Sequence, residues 1–245
     1  KKKFWKNLMK IELEKRIITS IILIAAAIFC ILINKFVFGI ALAGICIKCF
    51  MEWRDINYRY FSKKFWNYFL IKCSGIFYLF IFFLAAVFLR GDSFQSSIFF
   101  IIILCVCICS DIGGYVIGKT IAGKKLTKIS PNKTISGTIG SFIFSTLPVF
   151  LFNFQSYLET SLTFSNYNNE IIGHNFDFSL KNILFCVIIS LTCQLGDLFI
   201  SYFKRLNKIK NTGTILPGHG GLLDRIDGII FAIPIVWFLK ISQVF

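Results

Sequence analysis

Apolar residues in this chain come in long, nearly unbroken blocks, with neither the two-residue alternation of a half-buried strand nor the stripe of a surface helix. Blocks of about the 17 to 25 residues needed to cross a bilayer occupy 17–33, 36–51, 67–89, 94–118, 136–154, 182–203 and 228–244, the second and last being the shortest. Between them lie short stretches rich in Lys, Arg, Ser, Thr and Gly. The pattern predicts an all-α, polytopic transmembrane protein of about seven membrane helices, forming a single integral-membrane domain over residues 1–245.

Composition strengthens this reading. With 56% hydrophobic residues and 30 Phe in 245 positions, and a mean hydropathy of +0.73, too little polar surface is left to cover a water-soluble domain. Basic residues set the orientation, because Lys and Arg beside membrane helices stay on the cytoplasmic side. With the N-terminus inside, 21 of the 27 basic residues fall on inside segments. Outside loops keep Lys35, Arg90 and Lys181, and the long outer loop near 155–181 carries Glu159, Glu170 and Asp177. The Lys-rich start followed by an apolar run reads as a first retained helix, since Ala25-Ala26-Ala27 lies mid-run with no polar cleavage region after it. The expected location is a bacterial inner (cytoplasmic) membrane, with the functional face toward the cytoplasm.

Nine cysteines match no zinc spacing, and Cys105, Cys107 and Cys109 alternate within an apolar helix, so all are read as packing residues. His174 is read as part of a solvated outer connection. No repeat or low-complexity linker divides the chain, and function is expected where the longest polar segments of the second half, 119–135 and 204–227, emerge on the inside face.

Two carboxylates, Asp111 and Asp197, interrupt strongly apolar spans. A central Asp costs about 2.5 to 3.5 kcal/mol on insertion scales, which makes an intramembrane carboxylate a functional candidate. Counted back from Lys119 and Lys204, both lie roughly 10 to 12 Å below the inside surface at about 1.5 Å per residue, as two walls of one cavity would require. Small neighbours, Gly113 and Gly114 beside the first and Gly196 beside the second, let a helix or a ligand approach. Asp224 and Asp227 stand three apart amid basic residues. With Asp197 they offer hard-oxygen ligands for Mg²⁺, which takes one or two carboxylates plus substrate phosphates; an ion-pair knot around Arg225 is the alternative. Gly213, Gly218, Gly220 and Gly221 allow sharp turns and bring N–H groups toward phosphate oxygens. The loop Ser130-Pro131-Asn132-Lys133-Thr134 is a second basic, hydroxyl-bearing segment, which also reads as a helix start with Ser136 opening the next span.

The order of the C-terminal block is distinctive. Ser201, Lys204 and Arg205 precede Lys210, then Pro217-Gly218-His219-Gly220-Gly221, then Asp224-Arg225-Ile226-Asp227. This closely resembles the phosphatidate cytidylyltransferase (CDP-diacylglycerol synthase) family. Ser110-Asp111 with Gly114, Tyr115 and Gly118, the Ser-Pro-x-Lys-Thr segment at 130–134, and Gly196-Asp197-Leu198-Phe199 look like the same family, so the matches span a catalytic half at 110–234. Glu52-Trp53 is a looser echo.

The resemblance implies CMP transfer from CTP to phosphatidic acid, giving CDP-diacylglycerol and pyrophosphate, with Mg²⁺ as divalent metal and a monovalent cation as a second candidate. It implies Asp197, Asp224 and Asp227 as metal-organising carboxylates. Lys204, Arg205, Lys210, His219 and Arg225 would hold phosphates, and Ser130, Lys133 and Thr134 would serve the nucleotide side, with Asp111, Ser201, Gly220 and Gly221 also counted as substrate-binding. Expected partners are CTP, phosphatidic acid, the bilayer and a second copy of the chain, and no nucleic acid. Two positions depart from the family pattern: Asn211 stands where Asp is usual, and Ile200 where a Glu commonly precedes the motif serine. Activity is expected to survive both. Competing readings are a CTP-dependent polyprenol kinase, which would move the γ-phosphoryl group, and a transporter or inactive scaffold, which leaves the ordered block unexplained. The Asp-Gly-x-x-Ala-Arg arrangement of the CDP-alcohol phosphatidyltransferases is absent.

Overall fold

A computed structural model describes residues 21–61, 65–127, 129–131, 133–151, 179–213, 215 and 220–242. His219, with Pro217 and Gly218, and His174 lie outside the described residues, as does the Lys-rich start. Among the described residues there are seven helical segments and no strand: α1 Ile21–Ile33, α2 Lys35–Phe61, α3 Phe65–Arg90, α4 Phe94–Thr120, α5 Ile135–Ser145, α6 Leu180–Leu206 and α7 Leu223–Ile241. Hydrocarbon offers no partner for a peptide N–H or C=O, so apolar blocks of this length satisfy their own backbone as helices. Four of the segments are long and apolar enough to cross a membrane: Lys35–Tyr58, Phe65–Arg90, Phe94–Thr120 and Leu180–Leu206. Ile21–Ile33 and the apolar stretch Ile135–Leu151, which carries α5 on past a turn at Thr146, are shorter. α7 has Asp224 in its first turn and Pro234 inside. Phe36, Ile40, Phe77, Phe80 and Phe88 are exposed, which suits a lipid solvent.

α2 runs ten residues beyond the apolar block that ends at 51. Its extension carries Glu52, Trp53 and Asn57, all buried. The helix continues there because protein, rather than lipid, covers those side chains.

The described residues form two compact units, one within 1–97 and 199–227, the other within 98–198 and 228–245. In the first, α2 and α3 pack through Trp53, whose indole Nε1 donates to the Ile71 carbonyl at 3.1 Å. The same ring fills the space where a Cβ on Gly75 would sit, and it meets the Phe203 ring at a centroid distance of 4.8 Å. Arg90, only 5% exposed, donates from Nε at 3.0 Å and Nη2 at 2.8 Å to the carbonyl of Ile31. A cation thereby meets the negative end of α1.

The second unit is held by small residues. Gly113 and Gly114 on α4 face α5, where a Cβ on Gly113 would strike Phe144 and one on Gly114 would lie 2.6 Å from Ser141 Oγ. From the other side, a Cβ on Gly137 would come within 2.7 Å of the Gly114 carbonyl, and one on Gly140 within 2.7 Å of that of Gly113. Backbones this close gain dispersion contact without a hydrophobic driving force. Ser110 of α4 and Ser190 of α6, both fully buried, share a 2.7 Å hydrogen bond, and Gln194 Nε2 also donates to Ser190 Oγ at 3.2 Å.

Candidate active site

The first group of site residues is built where α6 ends and α7 begins. α6 closes in a Schellman turn: Lys208 N donates to the Arg205 carbonyl at 3.0 Å and Ile209 N to that of Lys204 at 3.0 Å, with Lys208 left-handed at φ 54°. This turn throws the chain back as the 210–213 segment. Lys210 and Asn211 are exposed on it and Thr212 is buried.

Asp224, in the first turn of α7, gathers that segment. Its Oδ1 accepts from Lys204 Nζ at 2.8 Å, and its Oδ2 accepts from the backbone N–H of Thr212 at 2.7 Å and of Gly221 at 3.2 Å. Lys204 and Asp224 keep 11% and 9% of their side-chain surface, so this is a buried ion pair in which further N–H donors satisfy the anion. Gly220 adopts φ +85° and lies against Asn211, where a Cβ would meet Asn211 Cβ at 3.3 Å. Ser201 and Ile200 are buried beside Lys204 on α6, Arg205 and Arg225 are exposed, and Asp227 is half-buried one turn after Asp224. Arg205 Nη1 reaches the Ile209 carbonyl at 3.4 Å.

Facing the same segment is a carboxylate that the sequence offered only as an echo. Glu52, 4% exposed, accepts from Thr212 Oγ1 at 2.7 Å and Leu223 N at 2.9 Å on Oε2, and from Leu222 N at 2.9 Å on Oε1. An N-terminal helix turn aims unpaired N–H groups outward, and Glu52 takes two of them.

The second group belongs to the other unit. Lys133 Nζ pairs with Asp197 Oδ2, both partners partly exposed, and Asp111, exposed on α4, interacts electrostatically with both. The loop carrying Lys133 is a tight hairpin: Leu126 N donates to the Lys133 carbonyl at 2.8 Å, Ile135 N to that of Lys124 at 3.0 Å, and Lys133 N to that of Ser130 at 3.1 Å. Thr134, at the end of the 130–134 loop, caps α5. Its backbone is extended at φ −115°, ψ 157°, and its hydroxyl accepts from Gly137 N at 3.1 Å. Ser136 instead donates to the Ala122 carbonyl, tying the cap to the hairpin. Thr has this role because the hydroxyl satisfies a first-turn donor that no carbonyl reaches.

A sequence profile described as the cytidylyltransferase family matches residues 62–242. The chain belongs to the cytidylyltransferase family. Among curated relatives of this cytidylyltransferase-family chain, the phosphatidate cytidylyltransferase of Rickettsia bellii (strain RML369-C) is 34% identical over 240 residues, covering 96% of this chain and 94% of the relative. That of Rickettsia conorii (strain ATCC VR-613 / Malish 7) is 33% identical over 241 residues, with 96% and 94% covered. The Bacillus subtilis (strain 168) phosphatidate cytidylyltransferase is 34% identical over 147 residues, 59% of this chain and 48% of the relative. The profile takes in Lys133, Asp197, Lys204 and Asp224, while Glu52 lies ahead of it.

Among the described residues no group of three or more His, Cys, Asp or Glu side chains is arranged to hold a metal ion by itself. The donors present are oxygen carboxylates, and Asp224 Oδ1 accepts from one side chain, Lys204. Oxygen carboxylates are the donor type that Mg²⁺ takes, one or two of them with phosphates and water as its remaining ligands. This donor set does not suit a closed, protein-only cage.

Proposed function

We propose that the chain transfers CMP from CTP to phosphatidic acid. A phosphate oxygen of the lipid forms a bond to the α-phosphorus of CTP, the bond to the bridging α–β oxygen breaks, and pyrophosphate leaves with that electron pair. The nucleophile is already an anion, so alignment and charge neutralisation matter more than a general base. Lys204, Arg205, Lys210, His219 and Arg225 are the proposed phosphate-holding cations, joined by Ser201, Gly220 and Gly221. Ser130, Lys133 and Thr134, with Asp111, are proposed for the nucleotide side. For Mg²⁺ the proposed carboxylates are Asp224 and Asp227 on α7, where a bound ion would neutralise triphosphate charge; Asp197, which the resemblance assigns to the same role, is paired with Lys133.

The observation that carries the proposal is a buried ion pair, Lys204 with Asp224, inside a block that falls within the family profile. A lysine held by a carboxylate has its ammonium aimed, ready to meet a phosphate oxygen. Homodimerisation and a cytoplasm-facing site in the bacterial inner membrane belong to the same proposal; they rest on the family resemblance and on the distribution of Lys and Arg. The test is purified protein in detergent with α-labelled CTP, phosphatidic acid and Mg²⁺. Label should enter a lipid extractable into organic solvent, and Asp227→Ala should abolish it. A wild-type chain that leaves all label in water rejects the proposal.

A further inference from the structure

Glu52 stands outside the segment that the family profile matches, yet it holds the backbone at the start of α7 through Leu222 and Leu223 and the preceding segment through Thr212. Its three partners are an O–H and two N–H donors, and among the described residues none is a cation. A carboxylate 4% exposed is therefore balanced by peptide dipoles at a helix N-terminus.

We infer that Glu52 is a positioning residue for the transfer site, fixing Asp224 and through it Lys204. The geometry is a double grip on two stretches of backbone. Thr212 gives its N–H to Asp224 at 2.7 Å and its hydroxyl to Glu52 at 2.7 Å. In the turn before α7, Gly221 N goes to Asp224 at 3.2 Å, while Leu222 N and Leu223 N each go to Glu52 at 2.9 Å. Both carboxylates hold Thr212, one by its N–H and the other by its hydroxyl, and both hold N–H groups of the 221–223 turn, so neither can move without disturbing a residue or turn that the other also holds. Two glycines are shaped to this seat: a Cβ on Gly213 would sit 2.9 Å from Glu52 Oε1, and one on Gly221 would collide with Glu52 Oε2 and Thr212 Oγ1. Asp224 then presents its other oxygen to Lys204 at 2.8 Å. The result is a relay from α2 through the 212–223 backbone to a cation on α6.

The inference rests on the transfer reading, and its test separates the two. Glu52→Gln keeps the volume but turns an amide NH₂ toward N–H and O–H donors, and Thr212→Val removes the hydroxyl while keeping the N–H that Asp224 needs. In full-length protein in detergent, Glu52→Gln should lower kcat by about tenfold or more, the scale expected of a small misplacement of reacting groups. KM for CTP and phosphatidic acid should stay within about threefold, since ground-state binding is not what Glu52 supplies. Thr212→Val should lower kcat less, and the double variant should be no worse than Glu52→Gln alone. Hydrogen exchange supplies a readout apart from turnover: Leu222 and Leu223 amides should exchange faster in Glu52→Gln. Wild-type kcat in a folded Glu52→Gln, or a rise in KM alone, overturns the inference. Where Glu52→Gln does not fold, Thr212→Val with wild-type kcat and unchanged exchange overturns it equally. A wild-type chain that makes no CDP-lipid overturns the transfer reading and this inference with it, whereas wild-type CDP-lipid synthesis untouched by either variant removes only the role given to Glu52.

Discussion

Asp224→Asn and Lys204→Met remove the same ion pair from opposite ends, and they should not cost the same. In the native chain Nζ and Oδ1 are 2.8 Å apart with side chains 11% and 9% exposed. In Asp224→Asn the new amide would face donors on both sides: its nitrogen must point either at the Lys204 ammonium or at the N–H groups of Thr212 and Gly221. A buried cation left without its partner costs about 3 to 5 kcal/mol. Lys204→Met instead leaves an anion that keeps Thr212 N and Gly221 N and lies in the first turn of α7. The loss there is about 1.5 to 3 kcal/mol, that of one hydrogen bond between charged groups. The double variant lets the introduced amide turn its NH₂ toward the introduced thioether, so it should be less destabilised than the sum of the singles. Denaturant unfolding in mixed micelles can follow this through Trp53, which packs against Phe199 and Phe203 in the same unit. Asp224→Asn no worse than Lys204→Met, or strict additivity in the double variant, would refute the reasoning.

Gly221→Ala drives a methyl into Glu52 Oε2 and Thr212 Oγ1; overpacking of this kind costs about 1 to 3 kcal/mol, and the same micelle unfolding should show it. Thr134→Ala removes the cap of α5 and should destabilise by about 1 kcal/mol, with Thr134→Ser restoring most of it. Asn211 is exposed and the carboxylates Asp197, Asp224 and Asp227 remain, so Asn211→Asp should change turnover only modestly; a chain inactive until Asn211→Asp is made would show that the lost charge matters.

Hydropathy locates the long spans well, because a lipid-facing helix must be apolar along its length. The blocks at 67–89, 94–118 and 182–203 correspond to Phe65–Arg90, Phe94–Thr120 and Leu180–Leu206. The same signal fails at the inner end of α2. Apolarity stops at 51, while the helix continues to Phe61, since Glu52 and Asn57 are covered by protein. Glu52 is thus nearly invisible in sequence: its donors lie 160 to 171 residues away, beyond any local motif. Its one signal is a carboxylate set beside a Trp at the edge of an apolar run. The Lys204–Asp224 pair is legible as two members of one block, but their direct contact is not. At Asp111, the neighbouring glycines that promise room for a helix or a ligand admit α5. The 130–134 loop reads in sequence as the cap of that helix, and the geometry assigns the cap to Thr134, because Thr134 combines an extended backbone with reach to Gly137 N.

Which phosphorus of CTP ends up on the lipid tests the central claim most directly. With CTP labelled separately at the α and γ positions, phosphatidic acid as acceptor and product lipids separated by chromatography, α-label should appear in CDP-diacylglycerol and γ-label should leave as pyrophosphate. Lipid carrying the γ-label, with CDP released into water, would contradict the account.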